Sequence, residues 1–304
     1  MTQQDSASIL PSIDSHHHLW DLAVNHYPWL VGPPVEAHFG PYEKIRKNYL
    51  VRDYLNDIRG QAIVKSVHIE AGCDPSDPVK ETRWLQAQAD RHGFPHGIVA
   101  HANLAAENVR EILEAHCRFP NVRGVRMMMR PPGQLRRGHL SGGSPMNDSA
   151  WRRGFSILGE MNLSFDLQAP PPLMADAAGL AASFPNTQLV LTHAGLPLDR
   201  TADGMAAWRK GMHLLAEQPN VVVKVSGIPM TDWRWTLESL QPIVLETIDF
   251  FGIGRTMFGS NFPVDKLYGD YASLWGAYRQ IAGGFTLEEQ RCLFHDNAQR
   301  VYRL

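Results

Sequence analysis

Residues 13–21 read Ile-Asp-Ser-His-His-His-Leu-Trp-Asp, an apolar start followed at once by three histidines. On a strand, successive side chains alternate between two faces. A strand over 12–19 therefore points His16 and His18 the same way, with Asp14 on the same side. Two imidazoles and a carboxylate on one face, at a strand's end, could bind a metal or move protons. Core histidines satisfied by backbone groups would give the same spacing, and a lone His-x-His does not decide between them. His193 ends another apolar run, Leu-Val-Leu-Thr-His, and a third imidazole strengthens the metal reading.

Polar residues recur wherever an apolar run stops: His68 and Glu70, His101, Arg126, Asp166, His193, Lys224, Asn261. A buried polar group without a partner costs about 1–3 kcal/mol. Eight runs ending this way point to a hydrated or liganded cavity. Arg126 lies inside the apolar Val125-Arg126-Met127, where a guanidinium would suit a substrate carboxylate held bidentately. Arg130 is the next basic candidate. Glu70 either joins the site or pairs with Lys65 or Lys224. Trp20 and Trp29 line the mouth or pack the first loop. Nothing near Cys73 argues for an activated thiolate.

The elements that must position these groups alternate. Strand-like runs fall at 13–19, 63–70, 96–104, 122–128, 163–167, 188–193, 221–225 and 257–261. Amphipathic runs fall at 50–59, 78–92, 106–118, 150–161, 173–184, 202–217, 237–251 and 271–283. Strand–helix alternation implies a parallel sheet with crossover helices. Eight units in 304 residues favour a closed (β/α)8 TIM barrel of class α/β over an open sheet. No GxGxxG follows the first strand, which counts against a nucleotide-binding sheet. Long loops at 24–47 and 130–148 follow strands 1 and 4, so a barrel places them over its mouth. Thr286-Leu-Glu-Glu opens an extra C-terminal helix to 300, with an N-cap and an acidic first turn. No repeat or linker interrupts residues 1–304, so one domain is expected.

Composition narrows the setting. A net charge of -2 gives no argument for nucleic acid or an anionic membrane surface. Cys73, Cys117 and Cys292 are scattered, as in a reduced, cytoplasmic chain. The first residues lack the regions of a signal peptide, and no run of about 18 apolar residues exists. A small-molecule substrate is the expected partner. Oligomeric state stays open, a homodimer included, with Trp233 and Trp235 either on a contact surface or over the mouth.

Five segments carry a resemblance: IDSHHHLWD, GVRMMMR, LVLTHAG, VVVKVSG and MFGSNFPVD, in this order from residue 13 to the C-terminus. Together they resemble the amidohydrolase-related TIM-barrel hydrolases of the amidohydrolase 2 branch. That branch contains sugar lactonases such as fuconolactonase, and pyrone-dicarboxylate and muconolactone-type lactonases. By the resemblance, His16 and His18 match the first-strand HxH and His193 the histidine after the sixth strand. One divalent metal, Zn²⁺ or Mn²⁺, is implied on these three, and metal-independent operation stays open because family members differ. Asp166 falls where many relatives carry a metal-binding histidine. Position 261 is usually aspartate. Asn261 can position a water but cannot take its proton, which makes Asp265 the substitute carboxylate. The resemblance implies a hydrolase opening a small lactone or cyclic ester of a carboxylated or hydroxylated acid. Asp265, His193, Asn261 and Asp166 would act, and Arg126, Arg130, Glu70 and Trp20 would hold the substrate. A metal-dependent decarboxylase or lactone isomerase, or a barrel that binds a small acid without turnover, are the alternatives.

Overall fold

A computed structural model describes residues 9–129 and 144–304. Arg130 and most of the 130–148 loop lie outside the described residues. Eight strands form one parallel sheet in chain order: β1 Ser12–His17, β2 Ile63–Ile69, β3 Gly97–His101, β4 Val122–Arg126, β5 Ser164–Leu167, β6 Leu189–Leu191, β7 Val221–Val225 and β8 Thr256–Phe258. The seam between β8 and β1 is joined just past β8, where His18 N–H donates to Phe262 O (2.7 Å) and Asn261 N–H to His16 O (2.7 Å). The (β/α)8 barrel expected from the alternation is the fold found.

The helices are α1 Pro28–Val31, α2 Val51–Asp57, α3 Lys80–His92, α4 Val109–Cys117, α5 Ser149–Glu160, α6 Pro171–Ser183, α7 Ala202–Ala216, α8 Leu237–Phe251, α9 Tyr271–Ala282, α10 Leu287–Arg291 and α11 Asn297–Tyr302. Sequence chemistry sets their starts. Asp148 accepts from Trp151 N–H at the head of α5, and Thr286 with Glu289 forms a capping box on α10. A π-helical turn, Cys292–Asp296, joins α10 to α11, so the expected extra helix exists and runs slightly further than 300.

Alternation sorts each strand. Ile13, Val67, Ile69, Val99, Val190, Val222 and Met257 fill the barrel interior, and Val301 and Tyr302 of α11 close its base. The opposite parity, including Ile98, Phe165, Leu189, Val223 and Phe258, packs into the larger cluster that holds the helix layer. Strand β1 breaks the pattern. Asp14 opposes Ser66 but His17 opposes His68, three residues spanning the pairing distance of two. A bulge of this kind inserts one residue and flips the facing of the residues after it. Asp14 is therefore not beside His16 and His18, which corrects the alternation-based expectation. Its buried carboxylate faces the helix layer, accepting from Tyr54 OH of α2 and Tyr271 OH of α9 (both 3.1 Å) and from Ser260 Oγ (2.7 Å).

Strands β6 and β8 are shorter than the apolar runs that announce them. His193 (φ 57°) and Asn261 (φ 56°) both adopt left-handed backbone, which no strand ladder accommodates. Gly227, after β7, does the same at φ 61°. The chain turns sharply off three neighbouring strands at one rim, a conformation that clusters at functional sites.

Candidate active site

A cavity of about 280 Å³ opens at the C-terminal end of the strands, where barrel enzymes carry their sites. Its polar floor includes His18, Glu70, Arg126, Gln168, His193 and Asn261. Trp20, Trp29, Phe39, Met128, Met230 and Val264 form apolar wall. Of the residues singled out by sequence, His18, Trp20, Glu70, Arg126, His193 and Asn261 thus share one chamber. His16, Asp166 and Asp265 are not on its lining.

Three imidazoles meet here, His18 and His193 on the floor and His16 packed against both. The ring centroids of His16 and His193 are 4.5 Å apart, and those of His16 and His18 5.1 Å. His18 Nδ1 meets Ile69 O at 2.8 Å, and His193 Nδ1 meets Ser226 Oγ at 3.0 Å. Anchoring one ring nitrogen fixes the ring and leaves Nε2 for other work. Two glycines make the fit possible. A Cβ on Gly259 would stand 2.7 Å from His16 Cβ, and one on Gly227 would stand 2.4 Å from His193 Nδ1. Burial holds all three imidazoles below the ordinary histidine range, His18 at about 4, and the Arg126 charge adds to it. They are neutral at pH 7, the form that donates a lone pair.

The donor set suits a divalent cation in its chemistry. Both His16 nitrogens are buried without a hydrogen-bond partner, an expense that a ligand would relieve. Among the described residues, however, no three His, Cys, Asp or Glu side chains are already arranged as a finished metal site.

Arg126 at the end of β4 donates Nε–H to Glu70 Oε1 (2.7 Å) and Nη2–H to Glu70 O (2.5 Å). Glu70 pairs with this arginine rather than with Lys65 or Lys224. Burial alone would raise its carboxyl, but Arg126, His101 and the Gly72 N–H hold it down to about 2. With Nε–H and one Nη2–H spent on Glu70, Arg126 keeps both Nη1–H groups and the second Nη2–H, the other edge of the guanidinium. Below the floor, Lys224 Nζ donates to Asp166 Oδ2 (2.7 Å), and Tyr302 OH donates to the same carboxylate. Neither side chain of this ion pair is exposed at all. Burial lowers the Lys224 ammonium to about 8 despite Asp166.

Asp265 sits behind Asn261, whose Nδ2 donates to Asp265 Oδ1 (3.0 Å). Asp265 Oδ2 has no hydrogen-bond partner, and burial pushes the carboxyl well above the usual range. Cys73 reaches the cavity wall with its thiol pushed up to about 12 by burial and Glu81, the opposite of an activated thiolate. Sequence reasoning passed over His38, Phe39, Gln168 and Met230 as site residues, though all four line the chamber. Gln168 alone had a signal, standing at the end of the fifth apolar run. Trp233 stacks on Tyr268 at 5.8 Å and Trp235 Nε1–H donates to Tyr268 O, and neither tryptophan is on the chamber's lining. No helix among the described residues is long and apolar enough to cross a membrane.

Known proteins share this architecture. The Amidohydrolase family model Amidohydro_2 matches residues 13–304. An uncharacterised protein, y4mH, of Sinorhizobium fredii is 44% identical over 96% of this chain and 98% of its own. An L-fucono-1,5-lactonase of Burkholderia multivorans is 29% identical, covering 96% of each chain. A crystal structure of an amidohydrolase from Burkholderia multivorans with bound zinc superposes with a TM-score of 0.81 at 25% identity, over 97% of this chain and all of that one.

Proposed function

The chain belongs to the Amidohydrolase family, and from that premise we propose that it is a hydrolase opening a small lactone or related cyclic ester. The observation that carries the reading is the convergence of His18, His193 and Arg126 on one chamber, with His16 packed against both imidazoles and those two anchored through Nδ1. The lactonase name of relatives at 26–29% identity supports it.

Lactone opening needs an activated water, stabilisation of the tetrahedral oxyanion and a grip on the ring. His16, His18 and His193 would hold a divalent cation, Zn²⁺ or Mn²⁺, which when bound acidifies a water and polarises the carbonyl. Arg126 Nη1–H, steadied by Glu70, donates toward the developing oxyanion. The Trp20 and Trp29 faces close one side and limit bulk water. Of the three carboxylates, Asp166 is committed to Lys224 and Tyr302, and Glu70 to Arg126. Asp265 keeps an oxygen without a partner and a raised proton affinity. We assign it the proton-accepting role, through a water that Asn261 would hold. Its base form grows in as pH rises, so kcat/KM should climb from acid toward neutral or higher pH.

The test is a panel of lactones followed by acid release, with metal analysis of protein purified without chelator. Ring opening, lowered about 100-fold or more by Asp265→Asn and by His18→Asn, is expected. No opening of any lactone, or CO₂ release from a carboxylated aromatic instead, would overturn the proposal. Unchanged turnover in Asp265→Asn would remove that residue from the mechanism.

A further inference from the structure

We infer that the ring opened here carries a hydrocarbon face and no charge: an alkyl- or aryl-substituted lactone rather than a polyhydroxylated sugar lactone. The inference rests on the lactone reading above and narrows its substrate.

The wall is carbon. Trp20, Trp29, Phe39, Met128, Met230 and Val264 border the chamber, and the two indoles turn their N–H groups away from it. Trp20 Nε1–H donates to Lys47 O (2.6 Å) and Trp29 Nε1–H to Ala71 O (2.7 Å). Trp20 and Trp29 meet edge to face at 5.5 Å, and Trp29 meets Phe39 likewise at 5.9 Å, so the wall is a braced aromatic surface.

The floor's polar groups are few and mostly spent. Glu70 faces Arg126 and Gly72 N–H, Asn261 faces Asp265, and His18 and His193 each give up Nδ1. Gln168, both Nη1–H groups of Arg126 and its second Nη2–H are donors with no protein partner among the described residues, and they stand on the floor. That supply serves an ester group and the hydroxyls nearest the floor, while the carbon wall offers the rest of the ring none. A sugar lactone brings three or four hydroxyls, and each one left without a partner in such a site weakens binding on the order of ten-fold. A hydrocarbon substituent on the same wall gains affinity with every methylene it buries. The ion pair of Arg126 and Glu70 also leaves, among the described residues, no unmatched cation on the floor to reward an anionic substituent.

The decisive experiment compares initial rates on dihydrocoumarin and δ-nonalactone with those on L-fucono-1,5-lactone and D-galactono-1,4-lactone. The first pair should exceed the second at least ten-fold in kcat/KM. Trp29→Leu should raise KM for dihydrocoumarin about ten-fold while changing kcat far less, with circular dichroism confirming the fold. Phe39→Ser tests the same wall if Trp29→Leu does not fold. Preference for the sugar lactones, or an unchanged KM in the folded variants, would overturn the inference and leave the lactone reading standing. Failure to open any of the four would bring down that reading as well.

Discussion

Gly227 tests whether the position of His193 matters, because a single methyl group is aimed at it. In Gly227→Ala the new Cβ would lie 2.4 Å from His193 Nδ1, 2.8 Å from its Cγ and 2.8 Å from Met230 Cε. The imidazole must move, and its contact with Ser226 Oγ goes with it. Alanine in left-handed backbone costs about 1–2 kcal/mol, and the lost hydrogen bond adds about 0.5–1.5 kcal/mol. The expected destabilisation is about 1.5–3.5 kcal/mol. A reacting group displaced by about 1 Å can lower the rate by about 100-fold. Gly93→Ala is the matched control. It has φ 77°, ends α3, and a Cβ there meets nothing within 4 Å. It should lose about 1–2 kcal/mol from backbone strain alone, with kcat/KM intact. Urea denaturation and lactone turnover, run side by side on both variants, separate the two effects. Equal turnover in the two variants would refute the claim that His193 must stand where Gly227 admits it.

Lys224→Met strands the Asp166 carboxylate in the barrel interior and should cost about 3–5 kcal/mol. Adding Asp166→Asn should recover part of that, as read by chemical denaturation. Arg126→Met should destabilise by a similar amount, because Glu70 is buried beside it, and Glu70→Gln should partly restore stability without restoring turnover. Stability should also fall on acidification. His68 and His116 are held by burial at about 3 and about 4, below their unfolded value near 6.5. The unfolded chain therefore takes up protons first as pH falls through 6.5, and the loss deepens until the folded values are reached. Glu70, at about 2 against an unfolded value of 4.5, extends the same trend to lower pH. Urea midpoints that stay flat between pH 7 and 4 would contradict this.

How much of this was legible in the residue order depends on whether the cause is local. Strand–helix alternation is local, and it delivered eight units and the rim that carries the site. The bulge in β1 is not, since it depends on how β1 is paired with β2, and so Asp14 was placed with the wrong neighbours. His38, Phe39 and Met230 come from irregular segments, where no period marks a side chain as facing the chamber. The loop from β4 was expected over the mouth, and Arg130 within it lies outside the described residues.

The buried charges are the instructive middle case. A strand such as Val-Val-Val-Lys-Val cannot bury its lysine without a partner, and that much is visible in the residue order alone. Which partner is less obvious, because Arg126 and Asp166 are direct neighbours across β4 and β5 and yet do not pair. Inward side chains of a staggered barrel fall in layers drawn from alternate strands. Asp166 of β5 therefore meets Lys224 of β7 across the intervening β6. Glu70 just past β2 meets Arg126 of β4 across β3. The layer rule covers the first pair, a brace sealed beneath the floor; Glu70 follows the inward Ile69 after its strand has ended, and the second pair stands at the cavity, with its guanidinium still holding one free edge toward a ligand.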